Sequence, residues 1–147
     1  MKNILFVCTG NSARSIIAEA IVNNHFKDKY KAYSAGSNPL GKVNEDIKNY
    51  LLSKNINLTG YYSKNFRDFL DNRIRMDHVI TVCNNANNEV CPIWPKNNDI
   101  IHWDIEDPTK YLDATENLIK KTKIIDKTYN FIYQKVAHLI GLSLIHI

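Results

Sequence analysis

Hydrophobic and polar positions along the chain change period several times, and each change marks an element. Residues 3–7 are a short, near-continuous apolar run, the pattern of a strand buried on both faces. Residues 8–12, Cys-Thr-Gly-Asn-Ser, are small and turn-prone and end it. Over residues 14–26 the period becomes helical, with Ile17, Ala20, Ile21 and Phe26 on one stripe and Ser12 as a candidate cap. A second strand over 30–35 ends at Gly36, and a loop over 38–41 follows. Residues 43–52 predict a helix with Val43, Ile47, Tyr50 and Leu51 on one side. Residues 63–73 predict a short helix packing Phe66 and Leu70. A third strand over 77–82 ends directly at Cys83, and residues 99–103 form a fourth. From 113 to about 139 a long helix places Leu118, Ile125, Tyr129, Ile132, Val136 and Leu139 at helical spacing.

This alternation predicts an α/β fold: one domain over residues 1–140, with a four-stranded parallel sheet flanked by helices on both faces. The length of 147 residues agrees with one domain. Gly141 is a candidate helix end, which leaves 141–147 as an apolar tail. Parallel sheets of this kind bind ligands at the carboxyl ends of their strands. Cys8, Cys83 and the loop after Trp103 all lie at such ends.

Charge and cysteine content narrow the chemistry. Nineteen Lys and Arg against 15 Asp and Glu give a net charge of +4, compatible with an anionic small substrate and too weak to argue for nucleic acid. No apolar run approaches the roughly 20 residues of a membrane span, and the N-terminal run is too short for a signal peptide. Three cysteines, an odd number without a secretory signal, argue for free thiols in a reducing cytoplasm.

The segment Cys8-Thr9-Gly10-Asn11-Ser12-Ala13-Arg14-Ser15 has a physical reading. A strand delivers Cys8 to a tight loop, and a helix starts where the loop ends. Backbone N–H groups of the loop and first helical turn then converge on one spot, which favours an anion. Gly10 permits close approach, and Asn11 tolerates a left-handed backbone. Arg14 can fork onto two oxygens of a tetrahedral oxyanion. The same surroundings should depress the Cys8 pKa and leave a thiolate nucleophile, with Ser15 donating to the sulfur. A buried structural cysteine before an ordinary strand–helix turn is the alternative. Cys83 and Cys91 read as a redox pair or as inert thiols. Zinc binding with His102 lacks both the usual short spacing and a fourth ligand.

The 8–15 segment followed by Ala18-Glu19-Ala20 resembles the active-site loop and first helix of the thioredoxin-coupled arsenate reductases, which share the low-molecular-weight tyrosine phosphatase fold. Tyr33-Ser34-Ala35-Gly36, Thr81-Val82-Cys83, Cys91-Pro92-Ile93-Trp94-Pro95, His102-Trp103 and Asp107-Pro108 continue the resemblance in order over about residues 2–135. It implies a three-thiol relay reducing arsenate to arsenite. Cys8 forms an adduct with arsenate, Cys83 attacks Cys8 and releases arsenite, and Cys91 attacks Cys83. Thioredoxin then reduces the Cys83–Cys91 disulfide, and no cofactor is bound. If 83–91 were helical, the two Cα atoms would stand about 12 Å apart. A disulfide needs them within about 7 Å, so this segment must bend during turnover. Asp107 matches the family's general acid.

The resemblance also implies departures. Ala13 replaces a cysteine that some relatives carry. Asn11, Glu19 and Ser34 match positions that in some relatives help hold a potassium ion, while Lys64 stands where a further acidic ligand is expected. Its ammonium would replace the ion electrostatically, or it is a solvated surface charge. The competing activity is that of a low-molecular-weight phosphatase acting on phosphotyrosine or a small phosphate ester with Cys8, Arg14 and Asp107.

Overall fold

Strand β1 (Lys2–Cys8) lies inside the sheet because both of its faces are apolar. The computed structural model describes residues 1–71, 73–84, 94 and 100–145, and side chains as far as 141. Strands β2 (Tyr30–Gly36), β3 (His78–Cys83) and β4 (Ile100–Asp104) complete a four-stranded sheet of order β2-β1-β3-β4. All three pairings are parallel, with Phe6 opposite both Ser34 and Ile80, and Cys83 opposite Asp104.

Strand alternation sends Ile4, Phe6 and Cys8 to one face and Leu5 and Val7 to the other. The first face meets Ile16, Ile17 and Ala20 of helix α1 (Arg14–His25), Ile47 and Leu51 of α2 (Glu45–Ser53), and Ile125, Ile132 and Val136 of α4 (Leu118–Ile145). Phe66, Phe69, Leu70 and Met76, with Trp94, cover the second. Ile4, Leu5 and Phe6 have no exposed surface. Side chains buried this completely stabilise a fold by about 1.5–3 kcal/mol each. Helices α2 and α4 are also tied by the Tyr50 hydroxyl donating to Asp126 and by Lys121 paired with Asp46 at 3.3 Å.

The structure moves several predicted boundaries. Helix α2 begins later than residue 43 because the Asn44 side chain accepts from the N–H groups of Asp46 and Ile47. The described residues of 63–73 form no α-helix. A 3-10 helix, Phe66–Phe69, is opened by Asn65 accepting from Arg67 N–H. A four-residue helix α3 (Thr109–Leu112) precedes α4. The long helix starts at Leu118 rather than 113, where Asn117 Oδ1 accepts from Lys120 N–H. It also runs through Gly141, which does not end it, since the apolar period continues past Val136 to Ile140.

Candidate active site

The Cys8 loop is built by turning its carbonyl groups outward. Cys8 O accepts from Ser37 N–H at 3.1 Å, Thr9 O from Asn38 N–H at 2.9 Å, and Gly10 O from Leu40 N–H at 3.0 Å. The Ser63 hydroxyl also donates to Gly10 O at 3.1 Å, and Ser12 O accepts from Asn44 N–H at 2.9 Å. With these carbonyls engaged by residues outside the loop, its interior belongs to N–H groups, the arrangement an anion needs. Asn11 adopts the left-handed backbone, with φ of 47°, that aims its N–H at the Cys8 sulfur, 3.1 Å away.

Gly36 makes this curl possible. A Cβ placed there would lie 2.4 Å from Thr9 O and 3.1 Å from Asn11 N. The loop therefore packs directly on bare β2 backbone, a role the sequence does not announce. Ser12 does not cap α1: Ala13 holds the N-cap position without a side-chain hydrogen bond. This leaves the helix start without a protein cap, as suits an anion site.

Cys8 is a free thiol, 2% exposed. Its sulfur lies 2.9 Å from Ser15 Oγ. Burial pushes the Cys8 thiol above its ordinary value, against the opposing pull of Ser15, Arg14 and Asn11. The expected depression is thus reversed, because an enclosed loop strips water from the sulfur more than its donors compensate. Arg14 is 5% exposed, and its Nη1 donates to Ile105 O at 2.9 Å. That bond fastens the loop to the chain two residues before Asp107. Asp107 Oδ1 accepts from Thr109 N–H at 3.0 Å and from the Thr109 hydroxyl at 2.8 Å, so its carboxylate is oriented by the start of α3.

Cys83 ends β3 fully buried, with its sulfur engaged in a disulfide and its carbonyl accepting from Ile105 N–H at 3.1 Å. Cys91 lies outside the described residues. His102 Nδ1 is hydrogen-bonded with the Thr81 hydroxyl at 2.8 Å.

Lys64 is not a solvated charge. It is 8% exposed, and its Nζ lies 3.8 Å from Glu19 Oε1. Burial pushes the Glu19 carboxyl up and the Lys64 amine down, and each partner's charge opposes the other's shift. Asn11, Glu19 and Ser34 do converge. However, Asn11 Oδ1 accepts Lys64 N–H at 2.8 Å, and Asn11 turns its Nδ2 toward Ser34 Oγ at 3.0 Å. With one oxygen taken, an amide hydrogen facing inward and an ammonium alongside, this set does not fit a metal ion.

Residues 3–141 match the family described as low molecular weight phosphotyrosine protein phosphatase. Arsenate reductase 2 of Bacillus cereus is 39% identical over 109 residues, which cover 73% of this chain and 77% of that protein. The arsenate reductase of Archaeoglobus fulgidus superposes with a TM-score of 0.68 at 25% identity, over 91% of this chain and 98% of that one. The thioredoxin-dependent arsenate reductase of Corynebacterium glutamicum superposes with a TM-score of 0.64 over 97% of this chain and 63% of that one; at 22% identity this likeness speaks to fold alone. The match extends from β1 into α4 and takes in the whole Cys8 loop, so the chain belongs to the low molecular weight phosphotyrosine protein phosphatase family, where its relatives include arsenate reductases.

Proposed function

We propose that the protein reduces arsenate to arsenite in the cytoplasm, through Cys8, Cys83 and Cys91, with thioredoxin as the external reductant. The carrying observation is the Cys8 thiol itself. It is held by Asn11 N–H and Ser15 Oγ at the base of a loop whose carbonyls face away. The relatives named arsenate reductase support the choice of oxyanion.

Thr9, Gly10, Asn11, Ser12, Ala13 and Ser15 supply the backbone cradle, and Arg14 caps the anion with its planar fork. A dianionic oxyanion entering the cradle takes the proton of the neutral Cys8 thiol. Net charge in the site is unchanged, and the sulfur becomes the nucleophile. The sulfur–arsenic bond forms as an arsenate oxygen leaves as water, with Asp107 as the proton donor. Arsenic stays pentavalent in this adduct. Cys83 then attacks the Cys8 sulfur. A disulfide forms, the sulfur–arsenic bond breaks, and its electron pair stays with arsenic, which departs as arsenite carrying the Cys83 proton. Cys91 attacks Cys83, returning the Cys8 thiol, and the thioredoxin dithiol reduces the remaining disulfide.

The family also contains phosphatases, and ester hydrolysis needs Cys8, Arg14 and Asp107 without the other cysteines. Arsenate-dependent NADPH oxidation with thioredoxin and thioredoxin reductase, run beside para-nitrophenyl phosphate hydrolysis, separates the two. Fast ester hydrolysis without arsenate-dependent oxidation refutes the reductase reading.

A further inference from the structure

Glu19 and Lys64 are 7% and 8% exposed, an uncommon position for two charges, and the chemistry above uses neither. Lys64 Nζ faces Glu19 Oε1 at 3.8 Å, donates to Tyr62 O at 2.8 Å and lies 4.6 Å above the Tyr62 ring. Asp68 also acts on Lys64, and Glu19 on Tyr61.

A connected set of hydrogen bonds leads from this pair to the nucleophile. The Ser34 hydroxyl donates to Glu19 Oε1 at 2.5 Å. With its proton committed there, Ser34 Oγ accepts from Asn11 Nδ2 at 3.0 Å. The second Nδ2 hydrogen goes to Ser15 Oγ at 2.8 Å. Ser15 Oγ is the acceptor there, and it is hydrogen-bonded with the Cys8 sulfur at 2.9 Å. The amide orientation is fixed independently, because Asn11 Oδ1 accepts Lys64 N–H. The donors diverge from Asn11, one Nδ2 hydrogen going to Ser34 and the other to Ser15, while the Ser34 proton goes to Glu19, and a buried carboxylate needs a counter-charge.

We propose that Lys64 is the built-in counter-ion of Glu19, standing in for a metal ion, and that the pair anchors the hydrogen-bond network that reaches the Cys8 sulfur through Ser34, Asn11 and Ser15. Lys64 is a positioning residue in this scheme. It touches neither substrate nor the reacting sulfur.

The test is the rate of Cys8 alkylation by iodoacetamide at fixed pH and ionic strength, read by peptide mass. It needs no arsenate and so stands or falls apart from the reductase reading. Lys64→Met slows alkylation about tenfold, as for one charge-assisted hydrogen bond, and Lys64→Arg stays within about threefold of wild type. Ser34→Ala breaks the network in its middle, leaves the ion pair intact, and slows alkylation as Lys64→Met does. Wild type alkylates and melts alike in potassium and sodium chloride. A saturable potassium-specific effect on wild type overturns the proposal, as does a Lys64→Met or Ser34→Ala protein alkylated at the wild-type rate. If Lys64→Met does not fold, Ser34→Ala and the wild-type salt comparison decide.

Discussion

Gly36→Ala is the smallest change that reaches the oxyanion loop without touching a reacting group. The new Cβ would stand 2.4 Å from Thr9 O, where ordinary contact begins near 3.4 Å, so backbone must move by about 1 Å. Neither side yields cheaply. Gly36 is held in β2 opposite Cys8 and donates its N–H to Lys64 O at 2.8 Å. Thr9 O is held by Asn38 N–H, and Asn11 N by the Cys8 sulfur. A displacement of about 1 Å in a positioning element can cost roughly 100-fold in rate. Overpacking a tight contact costs about 1–3 kcal/mol. For a chain of this length that lowers Tm by roughly 2–12 °C. The assays are phosphate affinity by thermal shift, arsenate turnover, and Tm without ligand. Gly36→Ala with wild-type Tm and wild-type phosphate affinity refutes the close-packed loop.

Three further outcomes follow from the site. Arg14→Lys keeps the charge but loses the fork, and kcat/KM for arsenate falls about 100- to 1,000-fold, the usual scale for a lost transition-state donor, in steady-state kinetics. Because burial holds the Cys8 pKa above its ordinary 9.0, its stabilising contribution is complete below pH 9 and is lost as pH rises through the folded value. Wild-type stability in urea should therefore fall faster above pH 9 than that of Cys8→Ala, and parallel curves contradict the assignment. Cys91→Ser should stall after one arsenate turnover with Cys8 joined to Cys83, seen by peptide mapping as the loss of two thiols.

The parts of the fold written in local sequence were legible. The apolar run at 3–7, the helical stripe from Arg14 and the strand ending at Cys83 all stand close to where periodicity puts them. Residues 63–73 misled because Phe66 and Leu70 do pack on the sheet, yet from a 3-10 turn whose start is set by Asn65. Asp107-Pro108 reads as a loop start and also opens α3, which is too short to show a period. In the site, the identities of Cys8, Arg14 and Ser15 were legible, but the sign of the Cys8 shift was not. That sign depends on how completely water is excluded, a property of the folded loop. For Lys64 the sequence left two readings, an ammonium in place of an ion or a solvated charge, and only tertiary structure, which sets Glu19 beside it, decides between them. Gly36 gave no signal beyond ending a strand, and its partner Thr9 O is distant in sequence.

The register of β1 and β3 sets a condition on the proposed relay. Val7 pairs with Thr81, so Cys8 stands opposite Val82, and these two share the helical face of the sheet. Alternation puts Cys83 on the other side, with Thr81 and Val79. Once the disulfide at Cys83 is reduced, a Cys8–Cys83 bond therefore requires the last residue of β3 to turn over. That turn gives up the pairing of Cys83 with Asp104 and the hydrogen bond from Ile105 N–H to Cys83 O. One or two backbone hydrogen bonds at a strand end cost about 1–3 kcal/mol, so the open form would amount to roughly 1–15% of molecules. Such an opening is frequent enough to precede a slow chemical step without limiting it. It would also be local, since Val82 and Ile80 are fully buried in the core and β3 lies inside the sheet between β1 and β4. Native-state hydrogen exchange should find the Ile105 amide opening at least about tenfold more readily than amides in β1, as sub-global opening at a strand end predicts. An Ile105 amide as protected as those of β1 would leave Cys83 unable to reach Cys8, and the relay as proposed would fail at its second step.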